Sequence, residues 1–268
     1  MKLLSFHYHL KISLDSPVSR HHFTLRCLPV SDARQEILQL EHDVFPEDFL
    51  SRSRDQWGNA LLYGSCRGEH TSFEADIRGE AAVGLSAGTP AGPFEKDRIF
   101  GFATPLTQTD DALLAFAASL PIRSGAPEEA AAVMRAVHDA LTYEPGSTTV
   151  QTTAAEAFAM GRGVCQDYAH IMLAVLREKG IPARYAAGMQ LGEGQSHAWV
   201  EVLHEGLWTG YDPTNCLVVT DQHIKLSHGR DAWDCTINRG VFRGTAQQET
   251  DISVIVTESE RGEKSQLC

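Results

Sequence analysis

Leu4, Phe6, Tyr8, Leu10, Ile12 and Leu14 alternate without a break with Ser5, His7, His9, Lys11 and Ser13. A helix repeats its apolar face every three or four residues, whereas a strand turns successive side chains to opposite faces. A chain that opens on this period must build a strand with one dry and one wet face, and must find something to cover the dry one. The period returns through Phe23, Leu25 and Cys27 in "HHFTLRCLPV", and through Phe73, Ala75 and Ile77 in "TSFEADIRGEAAV". "SRDQWGNALLYGS" carries a turn signal at Trp57-Gly58-Asn59 ahead of an apolar run. Short strands, polar turns and no good helix predict a small N-terminal β-sandwich over residues 1–85. "SAGTPAGPFEKDR" reads as a linker over residues 86–98.

The texture then changes. Residues 127–143 set Ala130, Val133, Met134, Val137 and Leu141 on one helical face, with Pro127 and two glutamates at the start. Thr153, three residues before Glu156, makes a capping-box pattern for a helix that closes at Gly161. A further helix starts at Cys165, buries Ala169, Met172, Leu173 and Leu176, and stops at Gly180 before Pro182. "ARYAAGMQ", "HAWVEVL" and "LWTGYDPT" read as strands, the last two joined by a short "HEG" turn. "DISVIVTES" reads as a late strand, and the charged "RGEKSQLC" as a frayed tail. Helices followed by an antiparallel sheet make residues 99–268 an α+β core with a short C-terminal tail.

The 268 residues hold 35 acidic against 23 basic side chains, a formal charge of −12 that argues against nucleic acid and anionic membranes as partners. "MKLLSFHYHLKISL" has no basic region followed by an apolar run, so a signal peptide is not expected. No apolar stretch approaches a membrane span. The six cysteines are scattered without CxxC pairs, which predicts reduced thiols and a cytoplasmic protein.

One cysteine stands out. In "GRGVCQDYAHIMLAVL" Cys165 lies at the first turn of its helix, against exposed backbone N–H groups and the positive end of the helix dipole, an environment that favours thiolate. A reactive thiol needs a base, and the base needs a group that holds its ring. His197 begins "HAWVEV" at a strand mouth, and Asp212 ends "WTGYDPT" on the next strand. With Leu203 opposite Leu207, Trp199 falls near Tyr211 and His197 about one pair beyond Asp212, so that imidazole and carboxylate can meet. Cys165 is then the nucleophile, His197 its base and later the acid, and Asp212 the group that sets the tautomer. The backbone N–H of Cys165 is a natural oxyanion donor. Taken singly, each residue has a plainer reading: a packed thiol, a sheet histidine, a turn aspartate.

"GRGVCQDYAHIMLAVLREKGIPARYAAG", "SHAWVEV" and "YDPTN", in that order, resemble the transglutaminase-like superfamily, and most closely its bacterial cysteine-peptidase-like members. The resemblance implies a papain-like core behind a β-rich N-terminal region, and Cys165, His197 and Asp212 as a catalytic triad. It leaves the reaction open among peptidases, deamidases and cross-linking enzymes. The expected chemistry is a thioester acyl-enzyme formed from a peptide or protein amide, with hydrolysis slightly ahead of transfer to an amine. A binding module on a non-catalytic core, or acyl transfer from a thioester cofactor, are the rivals. The complete triad argues against the first, and the lack of a basic phosphate-binding cluster against the second.

Around the triad, Gly194 and Gln195 in "LGEGQS" are expected at a mobile rim of the substrate cleft, with Trp199 as core or cleft wall. Asp167 and Tyr168 read as helix-start charge and packing, His170 as non-catalytic, and Cys216 as a packed thiol. His7 and His9 share a strand face not far from His21 and His22, but no carboxylate or cysteine stands near them in sequence. A solvated face is therefore expected there, and neither metal nor cofactor.

Overall fold

The alternating opening and "HHFTLRCL" are one strand in the computed structural model, which describes residues 1–92 and 98–259. Residues 93–97 of the expected linker, and the expected frayed tail with Cys268, lie outside the described residues. This long strand, β1 (Lys2–Leu25), is followed by β2 (Gln35–Phe45), β3 (Phe49–Arg54), β4 (Ala60–Cys66), β5 (His70–Val83) and a short β6 (Thr89–Pro90). Then come helices α1 (Asp111–Ser119), α2 (Pro127–Ala140), α3 (Ala154–Met160) and α4 (Cys165–Glu178). Strands β7 (Thr142–Tyr143) and β8 (Arg162–Gly163) form a small parallel pair among them. The chain continues through β9 (Ala183–Gln190), β10 (Gly192–Gly194), β11 (His197–His204) and β12 (Leu207–Asp212). It ends in β13 (Leu217–Val218), β14 (His223–Gly229), β15 (Asn238–Arg243) and β16 (Gln248–Glu258).

The front half of β1, Leu4–Leu14, lies between β5 and β16, and its rear end, Phe23–Leu25, between β4 and β15. Between the halves stand Pro17, which has no N–H for a ladder, and Arg20, whose φ of 51° turns the backbone. Residues 238–258, placed from the sequence in the α+β core, thus pair with the first strand of the chain. Period-two alternation reports which face a side chain takes; it is silent about which strand lies on either edge.

The dry face is where the alternation puts it. Leu4, Phe6, Tyr8, Leu10, Ile12 and Leu14 are all buried. They share an apolar cluster with Val254 and Val256 of β16, and with Met189, Ile224 and Leu226 from β9 and β14. Those last two strands belong to the second sheet, β13-β12-β11-β9-β14, whose edge strand β6 pairs with β12. The result is two curled antiparallel sheets in contact, with helices packed on the second.

Helix α4 runs through the middle of the helical layer. Every residue from Asp167 to Arg177 is buried, because α1, α2 and α3 surround it and β9 and β11 lie beneath it. At about 1.5–3 kcal/mol per large apolar side chain removed from water, this helix is a main source of stability. Arg177 is buried near its end and donates to the carbonyls of Phe100, Ala183 and Arg230 and to Thr107 Oγ1, tying four segments to one helix. Helix α1 lacks a sequence signal because its centre, Leu113–Ala117, is apolar on every side and shows no stripe.

Candidate active site

The segment that delivers Cys165 is built by two glycines and two caps. Thr153 Oγ1 accepts from the Glu156 N–H while Glu156 Oε2 accepts from the Thr153 N–H, which closes the box that starts α3. Gly161 ends that helix at φ 62°, the left-handed conformation that glycine enters without penalty. Two residues on, a Cβ at Gly163 would stand 2.6 Å from Asp167 Oδ2. That oxygen folds back over the helix start, where it accepts from the Val164 N–H (2.8 Å) and from Thr148 Oγ1 (2.7 Å). Burial pushes the Asp167 carboxyl above its ordinary value, against the pull of Thr148 and Val164. Asp167 is therefore a cap, as its position suggests, and it leaves Cys165 as the first helical residue.

The hairpin β11–β12 sets the other two residues. Glu205 and Gly206 form a two-residue turn with φ of 47° and 78°, the pairing whose twist suits a hairpin. His204 then faces Leu207, Leu203 faces Trp208 and Val200 faces Tyr211. The register expected from a three-residue "HEG" turn is off by one. The difference matters, since a one-residue slip exchanges the faces of a strand. In the observed register Asp212 shares a face with His197, two residues along the diagonal. In the expected one they would point apart.

His197 Nε2 lies 2.7 Å from Asp212 Oδ2, and Cys165 stands close enough to the ring to help hold its proton. With Nε2 directed at the carboxylate, Nδ1 is the nitrogen left for the sulfur. Asp212 is fully buried and accepts five hydrogen bonds. Its Oδ1 takes the backbone N–H groups of Thr214 and Asn215; its Oδ2 takes His197, Asn215 Nδ2 at 2.8 Å and His223 Nε2 at 3.4 Å. Burial opposes its charge, but these donors, His197 first, hold the carboxyl well below the usual range. Burial likewise opposes protonation of His197, yet its bonds to Asp212 and Cys165 and their charges raise it to about 10.

His223 carries no signal in the sequence, and Asn215 appears there only as the last residue of "YDPTN". The ring of His223 packs edge-on to Trp199 at 5.2 Å between centroids, and its own centroid is 5.9 Å from that of His197. Burial, with the His197 charge beside it, keeps His223 below the ordinary imidazole value although Asp212 pulls the other way. One buried carboxylate thus faces two imidazoles, of which His197 holds its proton more strongly. Donor atoms of His197, Asp212 and His223 lie within 4.8 Å of one another and are close enough for a metal ion, but an ion there would displace the bonds that orient His197.

Cys165 opens into a cleft of about 950 Å³. Gly194, Gln195, Tyr143 and Trp233 line it. The rim is not a free loop, however: Gly192–Gly194 is β10, hydrogen-bonded to Val254–Val256 of β16. Leu10, Thr250 and Ile252 line the cleft too, so both chain ends contribute to its wall. Trp199 does not line the cleft. It is buried behind His223 against Ala186 and Val219, since β11 has both faces covered. An apolar trough of about 650 Å³, lined by Phe23, Phe73 and Val241, adjoins the cleft through Trp233, Thr236, Asn238 and Gln248.

The five described cysteines are free. Burial pushes the Cys27 thiol up to about 12 and that of Cys235 higher still. Cys165 and Cys216 are the two that are part-exposed. His170 is fully buried, accepts from the Ala232 N–H, and is held neutral by burial at about 3. No helix of the described residues is long and apolar enough to cross a membrane.

Residues 115–213 match the core of the transglutaminase-like superfamily, and residues 4–82 the bacterial transglutaminase-like N-terminal region. An uncharacterized protein of Mycobacterium leprae is 29% identical over 265 residues, spanning 91% of this chain and 94% of its own. An uncharacterized protein of Mycobacterium tuberculosis H37Rv is 29% identical over 267 residues, 85% of this chain and 84% of its own. Among solved structures, one from Cytophaga hutchinsonii described as a "Putative Cysteine Protease" superposes with a TM-score of 0.78 at 20% identity, over 97% of this chain and 92% of that one. At that identity the likeness is one of fold.

Proposed function

Because the chain belongs to the transglutaminase-like superfamily, we propose that it is a cysteine-dependent amide-bond enzyme in which Cys165, His197 and Asp212 act as nucleophile, general base and orienting carboxylate. The observation that carries this reading is the relay itself. A part-exposed thiol at a helix start stands beside an imidazole whose Nε2 is 2.7 Å from a buried carboxylate.

The Cys165 sulfur attacks the carbonyl carbon of a bound amide, with the proton it gives up held at His197 Nδ1. The first residues of α4 have N–H groups without intrahelical acceptors, and the N–H of Cys165 receives the developing oxyanion. His197 returns the proton to the leaving nitrogen; the C–N bond breaks, the amine departs and a thioester remains. Water, deprotonated by His197, then releases the acid and restores the thiol. An amine in place of water would give transamidation by the same steps, but a cleft open to solvent favours water. A peptide or protein segment is the substrate class that suits a cleft walled by strand edges and continued by an apolar trough.

The test is release of ammonia or amine from a panel of glutaminyl peptides and peptide amides, with and without a primary amine. Turnover by the wild type, absent in Cys165→Ala of equal thermal stability, is the expected result. Equal turnover by both proteins would overturn the reading, and incorporation of the amine at the expense of acid would replace hydrolysis by transfer.

A further inference from the structure

The wet face of β1 carries a second cluster, remote in sequence from the candidate triad. His7 and His9 point to the same side of the strand, and Asp76 on β5 stands directly opposite His9. His7 Nε2 is 2.6 Å, and His9 Nδ1 3.2 Å, from one and the same oxygen, Asp76 Oδ2. The three donor atoms lie within 4.8 Å of one another. Arg78 Nε holds the other carboxylate oxygen at 2.7 Å and so turns Oδ2 toward the rings. All three side chains are part-exposed, with 38%, 30% and 20% of their surface open, so an ion can reach them and water can complete its shell.

We propose that His7, His9 and Asp76 form a binding site for a divalent transition-metal ion of the zinc class. Two imidazoles and one carboxylate suit zinc, copper or nickel, whereas magnesium and calcium call for oxygen ligands. Tetrahedral ligands about 2 Å from zinc stand roughly 3.3 Å apart. The His9 separation is already there, and His7 reaches it by a shift of about 0.7 Å at a ring with room to move. Arg78 plays the outer-shell part, fixing the carboxylate. The bound ion would clasp β1 to β5 on the side of the sheet away from the cleft.

Zinc titration of the untagged protein, its accessible thiols blocked with iodoacetamide, tests the site by calorimetry and by thermal shift. One saturable equivalent and a raised melting temperature are expected, with affinity falling at least about tenfold in His9→Ala and in Asp76→Asn. These side chains are part-exposed, so both variants should melt like the wild type without metal. A second readout needs no variant: zinc should protect His7 and His9 from diethyl pyrocarbonate, mapped by mass spectrometry. Absence of saturable binding, or binding without that protection, overturns the proposal. Unchanged uptake by the variants does so too, and points instead to His197, Asp212 and His223.

Discussion

Asp212→Asn should lower kcat by about 10²–10⁴. Asp212 is an acceptor in all five of its hydrogen bonds, and an amide keeps one acceptor oxygen. If that oxygen stays with the Thr214 and Asn215 N–H groups of the turn, the new NH₂ faces His197 Nε2. The ring must then offer Nε2 as acceptor and carry its proton on Nδ1, where it can no longer take one from Cys165. A loss of the same origin is known for serine proteases; thiol catalysis leans less on the third residue, hence the wide range. KM should change far less than kcat. The pH dependence should change as well. His197 is raised to about 10 in the folded chain. The stability it lends is complete below its ordinary value near 6.5 and fades as pH climbs through 10. Without the Asp212 charge that alkaline loss should shrink. Wild-type kcat in a folded Asp212→Asn protein would reduce Asp212 to a turn residue.

Glu201→Ala should destabilise the fold by about 3–5 kcal/mol, a drop of roughly 6–20 °C in melting temperature. Glu201 is buried on β11 with one oxygen 2.6 Å from Arg184 and the other 3.2 Å from Lys225. Lys225 keeps Asp32 as a second partner at 2.8 Å, but Arg184, stacked over Trp208, has only Glu201 as a salt-bridge partner among the described residues. Truncation therefore strands a buried guanidinium, and the penalty of an unpaired buried charge exceeds the net worth of the pair. The sign with pH follows. Burial opposes the Glu201 charge, but Arg184 and Lys225 hold its carboxyl far below 4.5. Its contribution is present above that value and is lost only as pH falls through the depressed one. The variant should thus be weaker at neutral pH and lose less on acidification. Glu74→Ala, which breaks an exposed pair with Lys11, serves as the control and should stay within about 0.5 kcal/mol. Equal melting of Glu201→Ala and wild type in calorimetry would contradict this account.

What the sequence shows of this protein is what short-range chemistry writes into it. The capping box at Thr153, the left-handed Gly161 and the thiol at the head of α4 are local patterns, and they stand where they are read. His197 and Asp212 are legible because motifs hold them, even though the register between their strands is not. The turn decides that register, and Glu205 in a left-handed conformation is not a choice its residue type announces. The unread parts all depend on partners far away in the chain. Leu4 pairs with Glu258, His9 meets Asp76, Glu201 meets Lys225, and His223 reaches Asp212 across the sheet. Burial tells a similar story at Trp199, which the alternation of β11 puts on the face of His197 but which Ala186, Val219 and His223 cover.

The central claim is a covalent one, so mass decides it. Wild type and Cys165→Ala, mixed with a glutaminyl peptide or peptide amide that is turned over, are quenched in acid within the first turnovers. Intact mass and peptide mapping follow. The account predicts a wild-type species heavier by the substrate less its amine, located on the peptide that carries Cys165 and absent from Cys165→Ala. An adduct on any other residue, or turnover that survives in Cys165→Ala, would contradict it.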